Sequence, residues 1–92
     1  MSIKIRFTAQ LKDKAGTRVD TVSYVENETL QGFLKRISTQ YGIEVQSILF
    51  DENGEYRHSN LIVINQSQVN YEDSITLADG VEVTLMSPIS GG

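Results

Sequence analysis

The feature that most constrains this chain is a change of hydrophobic period, from strand-like alternation to a single helical stripe and back. Apolar residues recur at steps of three and four at Leu30, Phe33, Leu34, Ile37 and Tyr41. This spacing places them on one face of a helix of about twelve residues. The segments on both sides follow the two-residue period of strands, so one main helix must combine with a sheet.

The ends of this helix carry recognisable signals. Asn27 or Thr29 can cap its N-terminus, and Gly42 can take the left-handed conformation that closes a helix. Gly32 lies inside the helix, where a glycine costs about 1 kcal/mol relative to alanine. We expect close packing of the helix on a sheet to explain this glycine.

Period-two patterns predict the strands. Residues 3–9 alternate apolar and polar side chains, which predicts a half-buried first strand. The turn residues 13–16, followed by β-branched and aromatic residues in 17–25, predict that the opening third is a hairpin.

The second half of the chain contains four further β patterns. The first is a small hairpin or structured turn, with residues 47–50 and 55–57 on the two sides of the turn 51–54. The other three are single strands at residues 61–64, 69–71 and 81–86. The continuous apolar run 61–64 is typical of a central strand covered on both faces, and 69–71 predicts a short edge strand. Asp79-Gly80 predicts a tight turn before the last strand.

The order of hairpin, helix, short strands and last strand predicts an α+β fold. One helix packed across a mixed sheet is the β-grasp arrangement. Because the chain has 92 residues, we expect one domain over residues 1–92 with one modest core. Pro88 cannot donate to a sheet ladder, so residues 87–92 are expected to form a flexible C-terminal tail.

Composition and charge exclude several classes of function. The chain has no cysteine, which removes disulfides, thiolate nucleophiles and cysteine metal sites. Its net charge of −4 has the wrong sign for nucleic acid or an anionic membrane, so a protein with a basic docking face is the expected partner. No apolar run approaches the roughly 20 residues of a membrane helix, and a cytoplasmic location is expected.

The usual catalytic and metal-binding residue types do not combine into a site. His58 is the one histidine and lies in a polar stretch, which indicates a surface loop rather than a metal ligand. The acidic pairs Asp51-Glu52 and Glu72-Asp73 lack the spacing of a calcium loop. The glycines are dispersed and form no phosphate loop. We therefore expect neither an autonomous enzyme nor a metal site.

The C-terminal tail is the segment whose residues point to chemistry. It ends in Gly91-Gly92 after a strand and a proline. A terminal carboxylate without neighbouring Cβ atoms can enter a narrow site of another protein. Activation to an acyl adenylate would let a sulfur donor displace AMP and leave a thiocarboxylate. Two glycines alone also suit a frayed end or a cloning remnant, but their position after the strand and Pro88 favours the chemical interpretation.

Three segments together carry the pattern of a known family. Residues 3–11, running on to Gly16, are similar to the first strand and loop of the molybdopterin synthase small subunit. Residues 77–83 and the ending 86–92, which reads MSPISGG, are similar to a "DGDEV" strand and a "PPVSGG" tail. Arg57 with residues 60–65 resembles the "R…NI-V-N" stretch of the longer MoaD-like branch, which includes carriers serving cysteine biosynthesis. The chain thus resembles the ThiS/MoaD family of ubiquitin-like sulfur carriers over nearly its whole length.

Three positions depart from the family pattern. Val81 stands where an acidic residue often follows the Asp-Gly turn, Ser87 replaces the first of two prolines, and Met86 occupies an often aromatic position. None of them touches the terminal carboxylate, but they lie near the face that the family's partners contact. They bear on the identity of the partner.

The resemblance implies roles for the tail. Gly92 would be adenylated and then thiocarboxylated by an ATP-dependent E1-like enzyme of the MoeB/ThiF type, and Gly91 would let the tail thread the channel of that enzyme. Pro88, Ile89 and Ser90 would line the channel. The chain itself would bind no cofactor, because the partner would use the ATP.

The resemblance also implies a docking surface and an acceptor. Met86, Thr8 and Phe7 would contact partners, although Phe7 shares a face with Ile3 and Ile5 and is better explained by core packing. The expected acceptor is the molybdopterin synthase large subunit, with this chain as the non-catalytic small subunit. Alternatives are a carrier for cysteine or thiamine biosynthesis, a ubiquitin-like modifier conjugated through Gly92, and a binding module in which Gly-Gly is incidental.

Overall fold

A computed structural model of the chain describes residues 1–88. Within this range the elements are β1 (Ser2–Thr8), α1 (Ala9–Ala15), β2 (Val19–Ser23), α2 (Leu30–Tyr41), α3 (Ile43–Leu49), β3 (Leu61–Ile64), β4 (Ser67–Val69) and β5 (Glu82–Met86). None of the helices in this part of the chain is long and apolar enough to cross a membrane.

The strands form one mixed sheet in the order β2-β1-β5-β3-β4. The first and last strands pair in parallel, whereas β1–β2, β3–β4 and β3–β5 pair in antiparallel fashion. The main helix α2 lies between these strands in the chain, so the predicted α+β, β-grasp fold is confirmed. Its middle strand is β5, which brings the C-terminal end of the described chain to the centre of the sheet.

The alternating pattern of the first strand is confirmed. Ile3, Ile5 and Phe7 are buried, whereas the residues between them face the other side of the sheet. The prediction is wrong at Ala9, which is the first residue of α1 and not the last residue of the strand. Its φ of 52° lies in the left-handed region, so the backbone turns from strand to helix at a single residue.

Helix α1 was not predicted, and it replaces the expected hairpin loop. The two strands do pair, with Ile3 opposite Val22, but a helix of seven residues connects them. The predicted turn residues close this helix, where Gly16 has a φ of 78° and its N–H donates to Lys12 O at 3.1 Å. Leu11 is the one buried residue of α1, which is too few to produce a readable stripe.

Helix α2 is confirmed from Leu30 to Tyr41, with Thr29 as its cap. The Oγ1 atom of Thr29 accepts a hydrogen bond from the N–H of Gly32 at 3.1 Å. The predicted left-handed ending is wrong in detail. Gly42 has a positive φ of 102° but a ψ of 173°, so it extends the chain and caps the start of α3.

The packing explanation for Gly32 is wrong. Gly32 is exposed, and a Cβ atom there would meet only the Oγ1 of Thr29 at 3.3 Å and the Cγ of Glu28 at 3.7 Å. Both atoms belong to the residues that lead into the helix, and neither belongs to the sheet. The glycine therefore leaves space for the cap hydroxyl.

Helix α3 stands where the sequence predicted strand residues 47–50. Val45 and Leu49, four positions apart, bury one face of this short helix. The turn that follows is confirmed, because Gly54 has a φ of 80° and Oδ1 of Asp51 accepts two backbone hydrogen bonds. A single bridge joins Phe50 to Tyr56 across this turn.

Strand β3 is not covered on both faces. Ile62 is buried, but Leu61 is 42% exposed, and the central position of the sheet belongs to β5. The edge strand predicted at residues 69–71 lies at Ser67–Val69. The turn at Asp79-Gly80 is confirmed by the φ of 86° at Gly80.

The core fills the space between the sheet and the three helices. Its central members come from each layer: Ile5, Phe7, Val83 and Leu85 from the sheet, and Leu11, Phe33, Leu34, Ile37 and Leu49 from the helices. The residues that alternate with them in β1 and β5 face the other side of the sheet, where Lys4 and Met86 are exposed.

We predict that Thr29→Ala lowers the free energy of unfolding by about 1 kcal/mol, because the N–H of Gly32 loses its cap. Urea unfolding followed by circular dichroism measures the change. Thr39→Ala, at an exposed position inside the same helix, is the matched control and should not lower stability. Equal midpoints for wild type and Thr29→Ala would contradict the assigned cap.

Candidate functional site

The last described residues anchor the chain at the centre of the sheet. Strand β5 ends at Met86, Ser87 is buried at 7% exposure, and Pro88 is exposed. Pro88 is the last residue that the structure describes. The predicted tail residues Ile89, Ser90, Gly91 and Gly92 lie outside the described residues, so their roles stay predictions.

Ser87 ties the end of β5 to the start of α1. Its Oγ accepts a hydrogen bond from the N–H of Leu11 at 3.3 Å and donates one to the carbonyl oxygen of Thr8 at 3.1 Å. The first N–H groups of a helix have no partner within the helix, and the cap residue Thr8 supplies no side-chain acceptor. Ser87 therefore caps α1 from 76 positions away. The prediction that the tail begins at residue 87 is wrong, since Ser87 belongs to the packed domain.

An apolar surface lies beside this anchor on the open face of the sheet. Met86 is opposite Thr8 of β1 and opposite Leu61 of β3, so the three side chains share one face. Met86 is 39% exposed, and Leu61 is 42% exposed. We call Thr8, Leu61 and Met86 the tail-side patch. Exposed apolar groups that lie side by side are a common mark of a protein contact surface.

The patch contains two of the three residues predicted for docking. Met86 and Thr8 lie in it, and Oγ1 of Thr8 also donates to the carbonyl oxygen of Leu85 at 3.4 Å. Phe7 does not, because it is 1% exposed and packs edge-on against Tyr41 with ring centroids 4.9 Å apart. The docking role of Phe7 is therefore wrong, and core packing is its role. Leu61 was missed because the continuous run 61–64 resembled a strand buried on both faces.

The titratable residues form no catalytic cluster in the described part of the chain. His58 is exposed and contacts the carboxylate of Glu72, and no group of three potential metal ligands occurs within residues 1–88. Burial raises the pKa of Tyr56, whose hydroxyl donates to the carbonyl oxygen of Asn60. Burial, and then a hydrogen bond to Asp20, raise the pKa of Tyr41. Both phenols stay protonated and serve as donors within the fold.

Another recess lies on the helical side and includes none of the residues of the tail-side patch. It has a volume of about 390 Å³ and is lined by residues of α2, α3 and the turn after α3, among them Lys35, Gln46 and Asp51. Its lining residues include no glycine-rich phosphate loop. The candidate functional site is thus the C-terminal end of β5, with Ser87 as its anchor and the tail-side patch beside it.

Comparison with protein families gives one match that spans nearly the whole chain. A model described as the ThiS family matches residues 5–92. No curated protein sequence matches the chain.

Comparison with solved structures gives matches along the full length. SAMP1 from Haloferax volcanii superposes with a TM-score of 0.86 at 24% identity, covering 100% of both chains. Urm1 from Trypanosoma brucei gives 0.77 at 22% identity, covering 99% of this chain and 95% of that chain. A complex of subunits 1 and 2 of molybdopterin-converting factor from Helicobacter pylori 26695 gives 0.59 at 19% identity, covering 100% of both chains. At these identities the likeness establishes a shared ubiquitin-like fold.

We predict that Ser87→Ala lowers the free energy of unfolding by about 1–3 kcal/mol, because the buried N–H of Leu11 loses its acceptor. Urea unfolding measures the loss. Ser47→Ala is the control, since that exposed hydroxyl donates only to Ile43 O within its own helix. If both variants unfold at the wild-type midpoint, Ser87 does not cap α1.

Proposed function

The chain belongs to the ThiS family, and on that premise we propose that it is a sulfur carrier whose C-terminal Gly92 carboxylate is converted to a thiocarboxylate. It is a small ubiquitin-like protein of the carrier and modifier type. In this role it is a co-substrate of its partners and not a catalyst. The proposal requires Gly92 to carry the free α-carboxylate.

The observation that carries the proposal is the position of the Gly-Gly end relative to the anchor. Ser87 is held just beyond the end of β5, the middle strand, by its hydrogen bonds to Thr8 and Leu11, and five residues, Pro88 to Gly92, follow it. Five residues reach at most roughly 17 Å when fully extended. This length lets the carboxylate enter a recessed site of a partner while that partner rests on the tail-side patch. Gly91 and Gly92 add no Cβ atoms that would widen the required channel.

The proposed chemistry takes place in the active site of an E1-like adenylating enzyme. A carboxylate oxygen of Gly92 attacks the α-phosphorus of ATP, and pyrophosphate leaves, which gives an acyl adenylate. A sulfur nucleophile then attacks the acyl carbon, and AMP leaves. With hydrosulfide as the nucleophile, the product is the thiocarboxylate itself. With a persulfide donor, the product is an acyl disulfide, and a thiol then cleaves its S–S bond, which releases the thiocarboxylate and leaves a disulfide between that thiol and the donor. ATP is the partner's substrate, and in this proposal Pro88, Ile89 and Ser90 contact the walls of the channel.

We place the sulfur transfer in molybdopterin biosynthesis, with the molybdopterin synthase large subunit as the acceptor. The subunit 1 and 2 complex from H. pylori supports an enzyme subunit as the kind of partner. Cysteine and thiamine biosynthesis are the alternative destinations, because they use the same activation step. The ATP-dependent partner puts this activity in the cytoplasm.

A second candidate function is protein modification, in which the activated carboxylate forms an isopeptide bond with lysines. The similarity to SAMP1, a protein named as a small archaeal modifier, favours this candidate. The first step is the same, so the two functions differ only in the nucleophile that displaces AMP.

We predict that incubation with a cognate E1-like enzyme, ATP and a sulfur donor adds about 16 Da to the intact mass, as one oxygen becomes sulfur. Deletion of Gly92 should abolish this gain while the thermal midpoint stays within about 1 °C, because the anchor at Ser87 is intact. An unchanged mass with an enzyme that charges another carrier would overturn the carrier proposal. Stable high-mass conjugates in a lysate would identify a modifier instead.

The tail-side patch gives a second prediction. Met86→Asp should raise the KM of the activating enzyme for this protein about tenfold, because a charge replaces an apolar contact. Ile43→Asp, at an exposed apolar position on α3, is the control and should leave KM unchanged. Pyrophosphate exchange kinetics measure both variants. Equal KM values for wild type and Met86→Asp would show that partners do not use this patch.

A further inference from the structure

The acidic net charge conceals a basic end of the molecule. Five of the eight basic residues and one of the twelve acidic residues lie within residues 1–18. This segment forms β1, α1 and the approach to β2, and three of its basic residues, Arg6, Lys12 and Arg18, line one recess next to Thr8. This recess is therefore basic, although the net charge of the whole chain is −4.

Part of this segment forms a cavity of about 270 Å³ that is open to solvent and is lined by Arg6, Phe7, Thr8, Ala9, Lys12 and Arg18. Three of the lining residues are cationic, and none is acidic. Arg6 is neutralised by Glu82, with 3.0 Å between Nη2 and Oε2. Within residues 1–88, neither Lys12 nor Arg18 has an ion-pair partner. The cavity thus holds two cations that an anion would stabilise.

The backbone brings these cations together at a specific place. The left-handed turn at Ala9 ends β1 and starts α1, which places Lys12 one helical turn beyond the strand. On the other side, the carbonyl oxygen of Arg18 accepts a hydrogen bond from the N–H of Phe7 at 2.8 Å. A positive φ at a residue with a Cβ atom is unfavourable, and such turns persist where the surrounding structure holds them.

The cavity adjoins the tail-side patch, because Thr8 belongs to both. A protein that covers Met86 and receives the tail therefore also covers this cavity. We propose that the cavity binds acidic side chains of the partner protein that docks on the tail-side patch, with Lys12 and Arg18 as the recognising groups. This inference rests on the proposed function and specifies the chemistry of the partner.

Carboxylates suit this cavity better than the basic partner that the net charge suggests. The fork of an arginine guanidinium matches a carboxylate with two parallel hydrogen bonds, and the lysine adds a point charge. A basic partner face would place a further cation beside Lys12 and Arg18 and would be repelled. The acidic remainder of the molecule then helps to orient the encounter, since residues 19–92 contain eleven acidic and three basic residues and on balance repel an acidic partner.

The first test uses NMR and needs no partner. A synthetic peptide of consecutive glutamates, added to the isotope-labelled full chain, should shift the amide signals of residues 8–12 and of Arg18 and Met86. The double variant Lys12→Glu/Arg18→Glu should lose these shifts, whereas Lys35→Glu, an exposed lysine on α2, should keep them. Shifts spread evenly over the surface, or equal shifts with inorganic phosphate at the same concentration, would overturn the proposal. The second result would assign the cavity to a small phosphate-bearing ligand.

The second test uses the activating enzyme. Arg18→Glu and Lys12→Glu should each raise the KM about tenfold with kcat unchanged, and Lys35→Glu should change KM less than about twofold. Raising the salt from about 50 to about 300 mM should lower kcat/KM steeply for wild type and weakly for Arg18→Glu. Thermal midpoints check that the variants fold, and Arg18→Ala serves if the reversed charge destabilises the chain. Wild-type KM and salt dependence in folded variants would contradict the acidic contact.

The two tests separate this inference from the function on which it rests. If the wild type is not activated, the carrier proposal fails, and the peptide titration still decides whether the cavity recognises carboxylates. If the wild type is activated and the peptide does not bind at Lys12 and Arg18, the carrier proposal stands and the acidic contact is wrong.

Discussion

The parallel pairing of the first and last strands is the contact on which the rest of the structure depends. It joins β1 to β5 from Lys4–Glu82 to Thr8–Met86 and aligns the buried residues of the two strands, with Ile5 opposite Val83. Because β5 also pairs with β3, removal of this strand would divide the sheet into two hairpin-like pieces. The same pairing places Thr8 next to Met86. The core, the tail-side patch and the position of Ser87 therefore all depend on the pairing of β1 with β5.

The sequence was sufficient for elements that bury many residues and insufficient for short ones. Strand β1 and helix α2 show three and five buried positions in regular patterns, and both were predicted nearly residue by residue. Helices α1 and α3 have seven residues each and bury only one and two apolar side chains, so no stripe distinguishes them from turns. Helices this short are unstable alone, and distant contacts such as the Ser87 cap stabilise α1.

The same distinction holds for the residues of the candidate site: those in regular local patterns could be predicted, and those positioned by distant contacts could not. Met86 and Thr8 were predicted for docking, and both lie on the tail-side patch. Phe7 was assigned to the same surface, but the alternation of β1 buries it on the opposite face of the sheet. Leu61 and Ser87 could not be found from local patterns, because their positions depend on partners across the sheet and in α1. The net charge of −4 does not reveal the basic cavity, because it sums the acidic and basic residues of the whole chain.

The central position of β5 also affects how the protein folds during synthesis and how it responds to proteolysis. A chain under synthesis folds from its N-terminal end first, so β1 and β3 each keep an unpaired edge until residues 82–86 have been made. The sheet can therefore be completed only after the segment next to the C-terminal residues has been made. Proteolytic trimming that reaches this strand removes the middle of the sheet, and the damaged molecule unfolds.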